Sequence, residues 1–209
     1  MPSYKLSYFK GKGRGEVARL LFVFSGTAFE DERLEGEAWQ KFKPSTPYGQ
    51  MPLLTVDGKM ICQSGAIYRH VARAIGMYGK NNMENTMIDV MLETMNDMIT
   101  ELTKIYMEKD DAKKAEISKT LSETSIPKYL NFIEKTLKDN GGKFLVGSSM
   151  SLADIATFDL IDKMTDGGPL SKSIKDCLNG FPVTTAFFNS IKSEPKIKKH
   201  LETRPVTEY

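Results

Sequence analysis

Leu53-Leu54-Thr55-Val56-Asp57-Gly58-Lys59-Met60-Ile61-Cys62 carries the strongest local signal in the 209-residue chain. Two β-prone runs flank Asp57-Gly58, a pair that supplies the positive φ required by a two-residue hairpin turn. Directly after it, Ser64 stands where an N-cap belongs, ahead of Ala66, Ile67, Val71, Ala72 and Ile75 at helical spacing. The segment reads as a hairpin running into a helix.

Working back towards the N-terminus, Tyr4-Lys5-Leu6-Ser7-Tyr8-Phe9 alternates in the manner of a strand, and Gly11, Gly13 and Gly15 break it. These glycines are not spaced as GxGxxG, so no dinucleotide site is indicated. Glu16 to Phe24 presents Val17, Leu20, Leu21 and Phe24 on one helical face, and a short strand follows around Phe29 to Leu34. Pro44, Pro47 and Pro52 make the connection Lys43 to Pro52 irregular. The order is strand–helix–strand, a long connection, then hairpin–helix. That is the βαβ-ββα order of a thioredoxin-like α/β domain, assigned to residues 1–79.

Beyond it the texture changes to long helices, an all-helical C-terminal domain over residues 82–209. Met87, Met91, Met95, Met98, Leu102 and Ile105 form one stripe, widened by Ile88, Leu92, Ile99 and Tyr106. Such a stripe is core. Ala112 to Leu137 reads as a second long helix bent near Pro127, where a backbone hydrogen bond is forfeited. Gly141-Gly142 stops it. Ser151-Leu152-Ala153-Asp154 matches a capping box, and one or two further helices follow, the last near Pro195 to Glu202.

Composition narrows the function. Formal net charge is +2, from 29 basic and 27 acidic residues, which gives no electrostatic case for nucleic acid or an anionic membrane. Lys192, Lys196, Lys198 and Lys199 read as the wet face of a helix. Cys62 and Cys177 form no CxxC pair and, with only His70 and His200 to join them, no metal centre is expected. Cys62 reads as a small buried hydrophobe. No apolar stretch reaches membrane-spanning length and no leader is expected, so the cytoplasm is the expected compartment.

Several short motifs now fall into register: Tyr8-Phe9, Gly13-Arg14-Gly15-Glu16, Trp39 with Lys43, Gly49-Gln50-Met51-Pro52, Gln63-Ser64, Ser151-Leu152-Ala153-Asp154 and the terminal Glu202-Thr203-Arg204-Pro205. Together they resemble the cytosolic glutathione transferases, the sigma class and its invertebrate relatives most closely, along essentially the whole chain. The resemblance implies a homodimer with glutathione as co-substrate, no metal, and a Tyr8 hydroxyl that donates to the glutathione sulfur. Bringing a thiol from pKa ~8.5 to near 6.5 needs about 2.7 kcal/mol. One hydrogen bond to a charged group contributes roughly 1.5–3 kcal/mol, so a single phenol could supply most of that shift. Arg14 is implied as a helper that brings positive charge to the thiolate.

The same resemblance implies a cis bond before Pro52, with the Met51 main chain pairing with the cysteinyl part of glutathione beside Gln50. Gln63 and Ser64 open a helix whose unpaired N–H groups suit the γ-glutamyl carboxylate, and Ser64 as a plain N-cap is compatible with that role. Lys43 and Trp39 are implied at the glycine end, although the only Trp could equally anchor a core. Asp97 lies on a ridge with Glu93 and Glu101, which is either a solvated acidic face or, as the resemblance implies, the face from which Asp97 of the partner subunit reaches the glutathione α-amino group. Tyr48 resembles the intersubunit key aromatic of some classes. Phe9, Gly13, Arg14 and Ile99 are implied around the hydrophobic electrophile.

The expected activity is conjugation of electrophilic hydrophobic compounds, with glutathione peroxidase or prostaglandin isomerase activity as further possibilities. A non-catalytic, ligand-binding or crystallin-like relative is the alternative class, and it predicts damage at Tyr8, Arg14 or Gln63-Ser64. Thiol redox chemistry would need a cysteine where Tyr8 stands.

Overall fold

The computed structural model describes residues 2–166 and 170–207. The chain falls into two compact units: residues up to Tyr78 together with those from Ser193 on, and Gly79–Lys192.

In the first unit, β1 (Tyr4–Tyr8), β2 (Glu30–Arg33), β3 (Leu53–Val56) and β4 (Lys59–Cys62) form one sheet in the order β2-β1-β3-β4. β1 pairs parallel with β2, whereas the β1–β3 and β3–β4 pairs are antiparallel. The hairpin turns through Asp57 (φ 47°) and Gly58 (φ 82°), the left-handed pair read from the sequence. Helices α1 (Glu16–Ser25), α2 (Gly36–Phe42) and α3 (Ser64–Ala74) complete the α/β arrangement. Leu6, Leu20, Leu21, Phe22, Leu53, Leu54, Ile67 and Val71 are fully buried and make its core.

The second unit is helical: α4 (Asn82–Met107), α5 (Asp111–Thr120), α6 (Ile126–Asp139), α7 (Leu152–Thr165), α8 (Ser171–Leu178) and α9 (Pro182–Lys192). On α4 the expected stripe is buried at Ile88, Met91, Leu92, Met95, Met98 and Ile105, while Met87 and Tyr106 face outward. The expected long helix is interrupted by a π-turn at Leu121–Ser125, where the Ile126 N–H donates to the Leu121 carbonyl, five residues back. The irregularity thus precedes Pro127, which sits in the first turn of α6 without needing an N–H. Ser151 and Asp154 form the capping box of α7.

One reading needs correction: among the described residues three helices follow α7 where one or two were expected, because short α8 precedes α9. The last helix, α10 (Pro195–Thr203), belongs to the first compact unit. Its anchor is long-range: Glu16 on α1 meets His200 Nε2 at 2.9 Å and Arg204 Nη1 at 3.1 Å.

Candidate active site

Strand β1 delivers Tyr8 to the edge of a glycine-rich turn. The Arg14 N–H donates to Tyr8 Oη over 2.9 Å. Glycine is required on both sides of that donor. A Cβ at Gly13, whose φ is +34°, would lie 2.4 Å from Tyr8 Oη, and one at Gly15 would lie 2.6 Å from Tyr8 Cδ1. The ring therefore rests on bare backbone. With a lone pair of its oxygen engaged by Arg14, the hydroxyl keeps its own proton to donate outward. The Arg14 carbonyl in turn accepts from Tyr68 Oη at 2.6 Å, so α3 helps to set the turn.

Beside this turn lies a cavity of about 340 Å³ lined by Arg14, Tyr48, Gln50, Met51, Pro52, Cys62, Gln63 and Ser64. The Met51–Pro52 peptide is cis. Gln63 has φ 72° and ψ 112°, a conformation that non-glycine residues seldom adopt and that tends to mark ligand-binding sites. Gln63, not Ser64, is the N-cap of α3, and Ser64 is the first helical residue; no side chain caps the helix. The first intrahelical bond runs from the Ile67 N–H to the Gln63 carbonyl. The N–H groups of Ser64, Gly65 and Ala66 thus have no partner within the helix, at its positive end.

The remaining candidates are placed as follows. Phe9 is 39% exposed and meets the rings of Tyr8 and Trp39 edge-on at 5.4 and 5.8 Å. Trp39, half-buried on α2, also touches Phe42 and lies outside the cavity lining, as does exposed Lys43, one residue beyond α2. Cys62 is half-buried and faces the cavity, where a buried hydrophobe was expected; both cysteines are free. Asp97 and Ile99 are carried on α4 in the second unit, Asp97 exposed and Ile99 half-buried. Glu93 is exposed like Asp97, and Glu101 is half-buried. Among the described residues no group of three His, Cys, Asp or Glu side chains could hold a metal ion, and no helix is long and apolar enough to cross a membrane.

Sequence reasoning used Arg14 for its guanidinium and missed its N–H, which is the group that meets Tyr8. It also missed Gly15 and Tyr68. Gly15 carried a signal, a second glycine two residues after Gly13; Tyr68 carried none beyond its place on a buried helical face.

The whole arrangement can now be compared with known proteins. Residues 4–73 match the family described as glutathione S-transferase, N-terminal domain, and residues 96–204 match glutathione S-transferase, C-terminal domain. The chain belongs to the glutathione S-transferase family. It is 37% identical over 212 residues to glutathione S-transferase 1 of Ascaris suum, with all of both chains covered. It is 32% identical over 212 residues to S-crystallin SL11 of Nototodarus sloanii, again with both chains fully covered. Among solved structures, prostaglandin synthase D of Nilaparvata lugens superimposes with a TM-score of 0.86 at 37% identity, covering 99% of this chain and 100% of that one.

Proposed function

We infer that the chain is a glutathione transferase in which Tyr8 holds the glutathione sulfur as a thiolate for attack on electrophilic, largely apolar compounds. The 2.9 Å bond from the Arg14 N–H to Tyr8 Oη carries this reading, because it orients the phenol with its proton free for the sulfur. The thiol proton leaves to water, the sulfur forms a bond to the electrophilic carbon, and any leaving group departs with its electron pair. No general base is required, since the phenol stabilises the anion throughout.

The γ-glutamyl carboxylate binds the unpaired N–H groups at the start of α3, with Gln63 and Ser64 beside it. The cysteinyl part pairs with the Met51 main chain next to Gln50 and Pro52, and Lys43 and Trp39 receive the glycine end. Arg14 adds positive charge from the cavity wall, and exposed Phe9 offers apolar surface to the second substrate. Prostaglandin isomerisation and hydroperoxide reduction belong to the same thiolate chemistry. The 37% identity to a prostaglandin synthase supports the first and a sigma-like class.

The working form is a cytoplasmic homodimer. Met83, Met87 and Val90 are 68%, 37% and 39% exposed and follow helical spacing on α4, in line with Asp97. A second copy covers that apolar row and supplies Asp97 to its neighbour's α-amino subsite. Light scattering is expected to give the mass of two chains, and Met87→Asp that of one.

Likeness to an S-crystallin favours a second reading, a fold kept without its chemistry. Tyr8, Arg14, Gln63 and Ser64 are all present, which speaks for catalysis. Retention on immobilised glutathione tests binding, and conjugation of chlorodinitrobenzene tests turnover. Retention without turnover would establish the crystallin-like reading.

A further inference from the structure

The loop between β1 and α1 is tied down at three successive carbonyls, Phe9, Lys10 and Gly11, by two arginines. Arg19, fully buried on α1, donates from Nη2 to the Phe9 carbonyl at 3.2 Å and from Nη1 to the Gly11 carbonyl at 3.0 Å. Arg33, at the end of β2, donates from Nη1 to the Lys10 carbonyl between them at 2.6 Å. Asp31 joins the two: Oδ1 accepts from Arg19 Nε at 3.0 Å, and Oδ2 accepts from Arg33 Nε at 2.9 Å. A second carboxylate, Glu16, takes Arg19 Nη1 at 3.1 Å and links it to His200 and Arg204. The Arg19 guanidinium also lies 5.7 Å from the centre of the Tyr8 ring.

A buried guanidinium costs desolvation unless its donors are used, and those of Arg19 are divided between the Asp31 and Glu16 carboxylates and two main-chain oxygens of one segment. That segment leads from Tyr8 to the Arg14 N–H that meets the Tyr8 hydroxyl. Tyr8 and Arg33 are themselves register partners across β1 and β2, and the Leu34 N–H donates to the Tyr8 carbonyl at 2.8 Å. The residue that presents the phenol and the loop that orients it are thus held from one side by one charged bracket.

We propose that Arg19 and Arg33, bridged by Asp31, are positioning residues for Tyr8: they fix loop residues 9–11 so that the Arg14 N–H stays on the phenol oxygen. Neither lines the cavity. Both act through the orientation of one hydroxyl. The inference rests on the reading of Tyr8 as the thiolate's partner.

A lysine at position 19 keeps one charge but has no fork, so it cannot hold two carbonyls and Asp31 together. Arg33→Met removes one carbonyl tie from a side chain that is partly exposed and keeps its apolar stem. The test is titration of thiolate absorbance in the glutathione complex, with kcat and KM, for Arg19→Lys and Arg33→Met, each alone and combined with Tyr8→Phe. Expected are falls in kcat of about tenfold for Arg19→Lys and about threefold for Arg33→Met, with KM for glutathione within about twofold and the thiol titrating at higher pH. In the Tyr8→Phe background both effects vanish. If each variant lowers kcat equally in both backgrounds, or leaves the titration unmoved beside native Tyr8, the positioning role is overturned. Should Arg19→Lys fail to fold, Arg33→Met alone decides. A Tyr8→Phe chain that titrates like the native one would instead defeat the reading of Tyr8, a result separable from the first.

Discussion

Each unit buries a carboxylate almost completely, and the two are handled in opposite ways. Glu16 in the first unit is 1% exposed and Asp154 in the second is 0% exposed. Around Glu16, burial alone would raise the pKa, but the His200 hydrogen bond and the charges of His200, Arg19 and Arg204 outweigh it and hold the carboxyl at about 2. Asp154 has no cation. It accepts from the Leu145 N–H at 2.8 Å, the Ser151 N–H at 2.7 Å and Ser151 Oγ at 2.8 Å, and burial prevails, pushing it up to about 6. In the first unit Glu16 is held among Arg19, His200 and Arg204. In the second, Asp154 is a neutralisable cap, whereas Glu134 and Asp159 pair with Lys138 and Lys163.

That contrast gives a signed pH dependence, and the largest expected effect. The folded pKa of Glu16 lies below its ordinary 4.5, so its contribution is present above pH 4.5 and is lost as pH falls towards 2. The amount is about 3 kcal/mol. Asp154 runs the other way: with its folded pKa raised from 3.8 to about 6, stability declines as pH rises through that window. Urea unfolding of Glu16→Gln and Asp154→Asn against the native chain separates the two. The Glu16→Gln difference should shrink below pH 4.5, and the Asp154→Asn chain should lose the decline between about pH 4 and 6. Slopes of the same sign for both residues would break the comparison.

Next in size is Tyr8→Phe, expected to lower kcat/KM about 100-fold, or about 2.7 kcal/mol, while leaving the unfolding midpoint in place. Asp154→Ala should do the reverse. It strands the Leu145 N–H in the preceding loop and the two Ser151 donors at the start of α7, costing about 2 kcal/mol of stability, with glutathione retention intact. A Gly15→Ala chain sharpens the point within the first unit. Its new Cβ would crowd Tyr8 Cδ1 at 2.6 Å, so turnover should fall about tenfold through a tilted ring. Equal activity in Gly15→Ala would show that the glycine turn does not set the phenol.

The sequence disclosed the local parts of this account. Asp57-Gly58 specifies its own turn, Ser151 and Asp154 specify their own cap, and the α4 stripe from Ile88 to Ile105 specifies a buried face. Features that depend on distant partners were hidden. Nothing near Pro195 says that α10 joins the first unit, because the tie is an ion pair to Glu16 across the chain. The α3 start was misplaced by one residue because Ser64 is a good cap by type, whereas Gln63 takes the position through an unusual backbone. Residue types pointed to Tyr8, Gln50, Gln63 and Ser64 only through family resemblance. Arg19, Asp31 and Arg33 carried no motif, since the arginines meet carbonyl oxygens that every residue carries and Asp31 meets Arg19 from another element.

The state of the sulfur in the bound tripeptide tests the account most directly. Ultraviolet difference spectra of the glutathione complex, followed across pH in the native chain and in Tyr8→Phe, report whether it is ionised. The account predicts thiolate at neutral pH in the native complex, titrating about two units below a free thiol, and a return towards ~8.5 in Tyr8→Phe. A sulfur that stays protonated at neutral pH, or ionises alike in both chains, would contradict it.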